Sequence, residues 1–196
     1  MEKIIILDFG GQYKQLIARR VRELGVYCEI HPHTTPLSEL KAMSPAGIIL
    51  TGGPASVYLP DSPSYDKELF SMGVPILGIC YGAQLMAYLC GGEVKTADVS
   101  EYGHAELIVK ESPVASPLLT GAARKSACWM SHTDRITACP EGFTATAHTA
   151  DCPIAAMEDN SRKLYAVQFH PEVVHSVEGT KILKNFVIGI CGCAGD

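Results

Sequence analysis

Three short runs of almost unbroken aliphatic residues constrain this chain most: KIIILD at 3–8, GIILT at 47–51 and PILGI at 75–79. A strand that alternates apolar and polar residues hides one face, whereas a strand apolar throughout hides both. These runs therefore belong in the middle of a parallel sheet with helices packed on each side. The residues between them agree. Positions 12–24 place Tyr13, Leu16, Ile17, Val21 and Leu24 on one helical face, 26–30 form a further short strand, and 65–72 have a helical pattern. Strand and helix in alternation make an α/β fold with a mainly parallel central sheet and helices on both faces.

The second half changes character. Strand-like runs at 104–109, 127–130, 143–148, 154–158 and 164–169 are separated by turn residues, which predicts antiparallel strands added to the sheet. Positions 178–190 close the chain as an amphipathic helix through Ile182, Leu183, Phe186, Val187 and Ile190. With no internal repeat, low-complexity segment or linker, the 196 residues read as one domain.

A formal charge of −5 argues against nucleic acid as a partner, because phosphate binding needs clustered Lys and Arg. The basic run Arg19-Arg20-Val21-Arg22 reads as the solvated face of the first helix. No apolar stretch is long enough to span a bilayer, and MEKIIILDF runs straight into a strand pattern, so no membrane partner and a cytoplasmic location are expected. Cysteines stay reduced there. The eight cysteines contain no CxxC pair, and Cys191-Gly-Cys193 has the wrong spacing for a zinc ribbon or a redox centre, so most read as small buried hydrophobes and no metal site is expected.

Cys80 differs from the other seven in its setting, Gly78-Ile79-Cys80-Tyr81-Gly82, between the PILGI strand and a helical run from 82 to 90. A sharp strand-to-helix turn strains the backbone at its centre and leaves no room for side chains on either side, hence glycine at both flanks. It presents the thiol at the carboxyl end of a central strand, where open α/β sheets bind ligands. It also aims the positive end of the next helix at the sulfur, which favours the thiolate. A cysteine buried in a glycine-rich turn has the same letters, so the pentapeptide alone leaves core and chemistry both open.

Two distant stretches bear on the choice. Thr51-Gly52-Gly53-Pro54 follows the GIIL strand, and its N–H groups with that of Tyr81 would form an oxyanion hole; a plain glycine turn is the alternative. It is no phosphate loop, since no GxxxxGK[ST] follows, and TGGPAS lacks the Asp of an SGGxDS pyrophosphatase loop. Val167-Gln168-Phe169-His170-Pro171-Glu172 supplies what a thiol nucleophile requires, an imidazole base and an acceptor to orient it. Pro171 biases His170 toward extended backbone, and residues two apart in an extended segment share a side, which lets Glu172 reach the ring. Ser131-His132-Thr133-Asp134 carries the letters of a serine triad, but as sequence neighbours these residues read as a loop lining the site. His31, His33 and His175 lack partners at ligand spacing and read as surface.

Together GICYGAQ, TGGP and FHPE, in this order and at these separations, resemble the class I (triad) glutamine amidotransferases over nearly the whole chain. ILDFGGQYKQLIARRVRELGVYCEI, WMSHTDRI and HPEVVHSVEGTKILKNF are similar in particular to the glutaminase part of GMP synthetases. The resemblance implies a flavodoxin-like α/β fold and a Cys80–His170–Glu172 triad that hydrolyses L-glutamine through a γ-glutamyl thioester. It also implies an oxyanion hole from Gly53 and Tyr81, and substrate contacts from Gly52, Gln84 and the segment Ser131, His132, Thr133 and Asp134. Relatives usually have SHGD there. Thr133 is β-branched and disfavours φ > 0, so a differently shaped loop is expected. Ammonia would pass to an ATP-dependent synthetase converting XMP to GMP; that ATP-pyrophosphatase domain is absent from residues 1–196, and ATP and Mg are expected only there. The ending ICGCAGD resembles a junction running on into such a domain. Alternatives are a glutaminase for another amination pathway, a γ-glutamyl hydrolase or cysteine peptidase, and a non-catalytic module binding glutamine or a partner.

Overall fold

A computed structural model of the chain describes residues 2–111 and 115–195. Its first half runs β1 (Lys3–Asp8), α1 (Lys14–Glu23), β2 (Tyr27–Pro32), α2 (Leu37–Met43), β3 (Gly47–Leu50), a short 3₁₀ helix (Lys67–Ser71), β4 (Ile76–Ile79) and α3 (Tyr81–Leu89). The second half contributes β5 (Glu93–Val109), β6 (Lys125–Ala138), β7 (Thr144–His148), β8 (Ala156–Asp159), β9 (Leu164–Val167) and α4 (Gly179–Lys184). All nine strands join one sheet in the order β2-β1-β3-β4-β9-β8-β7-β5-β6. Pairings from β2 to β9 are parallel, and those from β9 to β6 are antiparallel.

The aliphatic runs are buried on both faces, as their composition requires. Ile4 and Ile6 of β1, Ile49 of β3 and Leu77 of β4 join the core formed with Ile17 and Val21 of α1 and with Phe186 and Val187. Their neighbours Ile5, Leu7, Ile48, Leu50 and Ile76 face the other way, into the core containing Leu40 of α2 and Leu85 and Met86 of α3. Each fully buried aliphatic side chain contributes about 1.5–3 kcal/mol, so the parallel half is a rigid platform for what its strand ends carry.

Several expectations need correction. Residues 131–135, read as a loop, lie inside the 14-residue strand β6, and Thr133 has no positive φ; the segment is a strand whose alternate residues Cys128, Met130, His132, Asp134 and Ile136 are buried. Polar residues on the buried face disguised the alternation. β5 begins at Glu93, well before 104, because β6 offers a partner along its length. The run at 164–169 is not a simple antiparallel addition: β9 pairs parallel with β4 and antiparallel with β8, and so joins the two halves. The closing helix is α-helical only through Lys184. Residues Asn185–Ile190 form a π-turn, marked by the Cys191 N–H donating to the Phe186 carbonyl at 2.8 Å. Arg20 is no solvated bystander, since its Nε donates to the Glu172 carbonyl at 3.0 Å.

Candidate active site

The carboxyl ends of β1, β3, β4 and β9 lie side by side, and the residues that follow each strand meet beyond the sheet edge. Cys80 is the single residue between β4 and α3, with φ of 52° and ψ of −104°. Left-handed backbone at a residue with a side chain costs about 1–3 kcal/mol and persists only where its surroundings enforce it. Here they do. The Cys80 N–H donates to the Val167 carbonyl at 2.8 Å, and the Gly82 N–H to the Thr51 carbonyl at 3.1 Å, which fastens the turn to β9 on one side and β3 on the other. A Cβ at Gly78 would stand 2.6 Å from the Gly82 oxygen, and one at Gly82 2.5 Å from the Leu50 oxygen, so both flanks must be glycine. All eight cysteines are free thiols, and Cys80 alone among them has positive φ.

His170 follows β9, placed by its N–H donating to the Trp129 carbonyl at 3.0 Å. Its Nδ1 lies 3.0 Å from Glu172 Oε2. The link is made differently from the extended geometry expected. The Val173 N–H donates to the His170 carbonyl at 3.3 Å, closing a turn over 170–173 that folds Glu172 back beneath the ring. The Ser176 hydroxyl donates to the same carbonyl at 2.7 Å, and Arg20 holds the Glu172 carbonyl, so the turn is braced from two elements. Tyr13 meets the imidazole edge-on with ring centroids 5.2 Å apart. Burial pulls the His170 pKa down, but attraction of its proton to Cys80 and the Glu172 carboxylate wins and pushes it up to about 10.

Cys80, His170, Gly52, Gly53, Gln84, Ser131, His132, Thr133 and Asp134 all line one cavity of about 390 Å³, within the range of small-molecule sites. A Cβ at Gly52 would lie 3.0 Å from His170 Cε1 and 3.7 Å from Cys80 Cβ, and one at Gly53 would lie 2.4 Å from the Phe9 oxygen. Two other expected residues stand behind the wall. Glu172 is fully covered by the turn, and the Tyr81 side chain is buried with its hydroxyl donating to the Pro63 carbonyl, so Tyr81 can serve the cavity only through its backbone. As the first residue of α3, its N–H has no partner within the helix. Gln84 Nε2 donates to the Asp134 carbonyl at 2.9 Å, Asp134 Oδ1 accepts from the Tyr58 hydroxyl at 3.2 Å, and Thr133 Oγ1 sits 2.9 Å from the Tyr102 hydroxyl.

Sequence reading missed the turn after β1. Gly10, Gly11, Gln12, Tyr13 and Lys14 line the same cavity, as does Tyr102. The Lys14 ammonium lies 2.6 Å from Asp8 Oδ2 and, with the Gly10 N–H, outweighs burial to hold that carboxyl below its usual range. The strand order brings the turn there: β1 lies beside β3, two places from the elbow strand β4, so its glycine turn reaches the same sheet edge. His31 and His33 instead bond Glu29 and the Asp8 carbonyl, and His175 packs on Trp129 at 4.9 Å between centroids.

A nucleophile elbow, an imidazole–carboxylate pair beyond the next strand and paired glycines after the previous one define a specific constellation. The family model described as glutamine amidotransferase class-I matches residues 5–190. A protein of Clostridium botulinum named GMP synthase [glutamine-hydrolyzing] is 57% identical over 193 residues, which cover 98% of this chain and 37% of that protein. One of the same name from Caldicellulosiruptor saccharolyticus is 56% identical over 195 residues, 100% of this chain and 38% of that protein. The chain thus spans little more than a third of these relatives. The crystal structure of a Thermoplasma acidophilum protein, described provisionally as one subunit of a GMP synthase, superposes with a TM-score of 0.85 at 35% identity, covering 98% of this chain and 94% of that one. A glutamine amidotransferase from Thermotoga maritima shares the fold, with a TM-score of 0.78 at 15% identity. The chain belongs to the class I glutamine amidotransferases.

Proposed function

We propose that the chain hydrolyses L-glutamine to glutamate and ammonia with Cys80 as nucleophile, His170 as acid and base, and Glu172 as the residue that orients His170. The observation that carries this reading is the thiol held on a strained elbow beside a buried His170–Glu172 pair at 3.0 Å. The Glu172 carboxylate can only accept, so Nδ1 carries the proton between them and Nε2 is left to serve the cavity. A His170 pKa of about 10 makes the imidazolium the resting form at neutral pH.

The thiolate attacks the side-chain amide carbon, and the oxygen that becomes negative is received by the N–H groups of Gly53 and Tyr81. His170 then gives its proton to the departing nitrogen, ammonia leaves, and a γ-glutamyl thioester remains. Acylation removes the thiolate charge that helped hold the His170 proton. Burial then favours the neutral ring, which is the form needed to take a proton from water in the second half-reaction. Gly52, Gln84 and the segment from Ser131 to Asp134 hold the substrate, with the Asp134 carboxylate suited to the α-ammonium group of glutamine.

The names of the relatives and the third of their length that this chain spans support a further step, transfer of ammonia to an ATP-dependent synthetase domain that aminates XMP to GMP. ATP and Mg are expected in that domain. The test combines the chain with the ATP-pyrophosphatase domain of a relative, ATP and XMP. GMP should form from glutamine with wild type but not with Cys80→Ala, and from ammonium salts with either. Glutamine-independent synthesis only, with active Cys80, would remove the GMP assignment while leaving the glutaminase reading intact.

A further inference from the structure

Beside the cavity, three chemistry-bearing side chains that perform no bond-making step of the hydrolysis meet: Glu101 of β5, His132 of β6, which also lines the cavity, and Cys152 of the loop before β8. Glu101 and His132 are direct partners in the β5–β6 ladder, and one donor atom from each of the three lies within 4.8 Å of the others.

The hydrogen bonds there leave a contradiction. His132 Nδ1 lies 2.7 Å from the Asp134 carbonyl, which can only accept, so Nδ1 carries the proton and Nε2 of the neutral ring holds a lone pair. That Nε2 is buried, has no hydrogen-bond partner, and faces Glu101 Oε1 at 3.3 Å. Two acceptors do not stay in contact in a dry interior without a cation between them. A proton on Nε2 is one answer, but the contact makes no hydrogen bond. A metal ion answers both points. With bonds of about 2.0 Å to nitrogen and oxygen at a tetrahedral angle, its two ligand atoms stand about 3.3 Å apart, and neither points straight at the other.

We propose that Glu101, His132 and Cys152 form a binding site for a thiophilic divalent cation of the zinc class. The outer contacts are those such a site uses. The His132 Nδ1–H is fixed by a backbone carbonyl, and the Thr149 hydroxyl donates to Glu101 Oε2 at 3.1 Å. The Cys152 N–H donates to the Thr149 oxygen at 3.1 Å, which ties the loop to the same group. The Cys152 thiol now donates to the Ile154 carbonyl at 3.4 Å, and burial pushes its pKa up to about 12. Binding replaces that S–H proton with the metal, releases it to water, and draws the sulfur in to about 3.5 Å from the other two ligand atoms. Glu101 also lines a surface cavity of about 400 Å³, which provides the entry. Through His132 the ion would hold in place the strand segment that lines the glutamine cavity.

The test uses zinc itself on chelator-stripped Cys80→Ala protein, so that the catalytic thiol cannot compete. One equivalent of Zn²⁺ should be retained, and X-ray absorption should show a single sulfur among nitrogen and oxygen ligands. Adding Cys152→Ser or Glu101→Gln should weaken binding about 10-fold or more. The X-ray spectrum needs no change at position 152 and so stands even if those variants fold poorly. Failure to retain zinc, a shell without sulfur, or affinity unchanged by Cys152→Ser in a folded variant would overturn the site.

Discussion

The His170 ring and the Glu172 carboxylate meet at 3.0 Å across one tight turn, and the Arg20 side chain of the first helix holds the carbonyl of that same Glu172 at 3.0 Å. The orienting carboxylate is therefore fixed from a second element. The strand that delivers the histidine is thus not its sole support.

This pair sets the pH dependence. The His170 pKa lies above its unfolded value, so the imidazolium, which on the proposed mechanism protonates the departing nitrogen, persists through neutral pH and is lost only as pH rises toward about 10. For wild type, kcat/KM should hold on the alkaline side and decline as pH approaches that value. Glu172→Gln removes one of the charges holding the proton while burial still disfavours it. The alkaline limb should then fall at clearly lower pH, with kcat at its optimum down by about 10²–10⁴-fold. A pH–rate profile of both proteins reads the shift directly.

Gly52→Ala probes how tightly the site is packed. The new methyl would lie 3.0 Å from His170 Cε1, so the ring must yield, while Gly52 itself has no positive φ to strain. Displacing a catalytic group by a fraction of an ångström costs turnover more than folding, and kcat should drop about 10-fold or more with the melting temperature nearly unchanged. Steady-state kinetics and thermal unfolding on the same sample separate the two effects.

The parallel half of this architecture was readable because burial on both faces leaves an unmistakable aliphatic signature, as in Ile4 to Leu7 with alternate side chains in opposite cores. The elbow was readable for a related reason: backbone crowding at Gly78 and Gly82 permits no other residue. The segment 131–135 was misread because a strand that buries His132 and Asp134 lacks the apolar alternation that identifies strands. Arg20 was misread because composition does not tell a solvated arginine from one whose guanidinium reaches a carbonyl 152 residues away. The Gly10–Lys14 turn and the Glu101–His132–Cys152 cluster were missed because only the strand order brings such distant residues together.

Asp134 tests the substrate end of the cavity. Its buried carboxylate accepts from Tyr58 and faces the cavity without a cationic side chain bonded to it among the described residues. If it receives the α-ammonium of glutamine, Asp134→Asn loses a charged hydrogen bond of about 1.5–3 kcal/mol. KM should rise by about 10–100-fold with a smaller change in kcat. An unchanged KM would move the α-ammonium contact elsewhere in the cavity.

On the proposed mechanism a single thiol, among eight, performs the reaction. The most direct measurement is ammonia release from L-glutamine by wild type and by Cys80→Ala, each assayed alone and with the ATP-pyrophosphatase domain present. The expected result is release by wild type, greater when that domain is present, and none above background from Cys80→Ala under either condition. Glutamine-dependent ammonia release that survives in Cys80→Ala would contradict the mechanism.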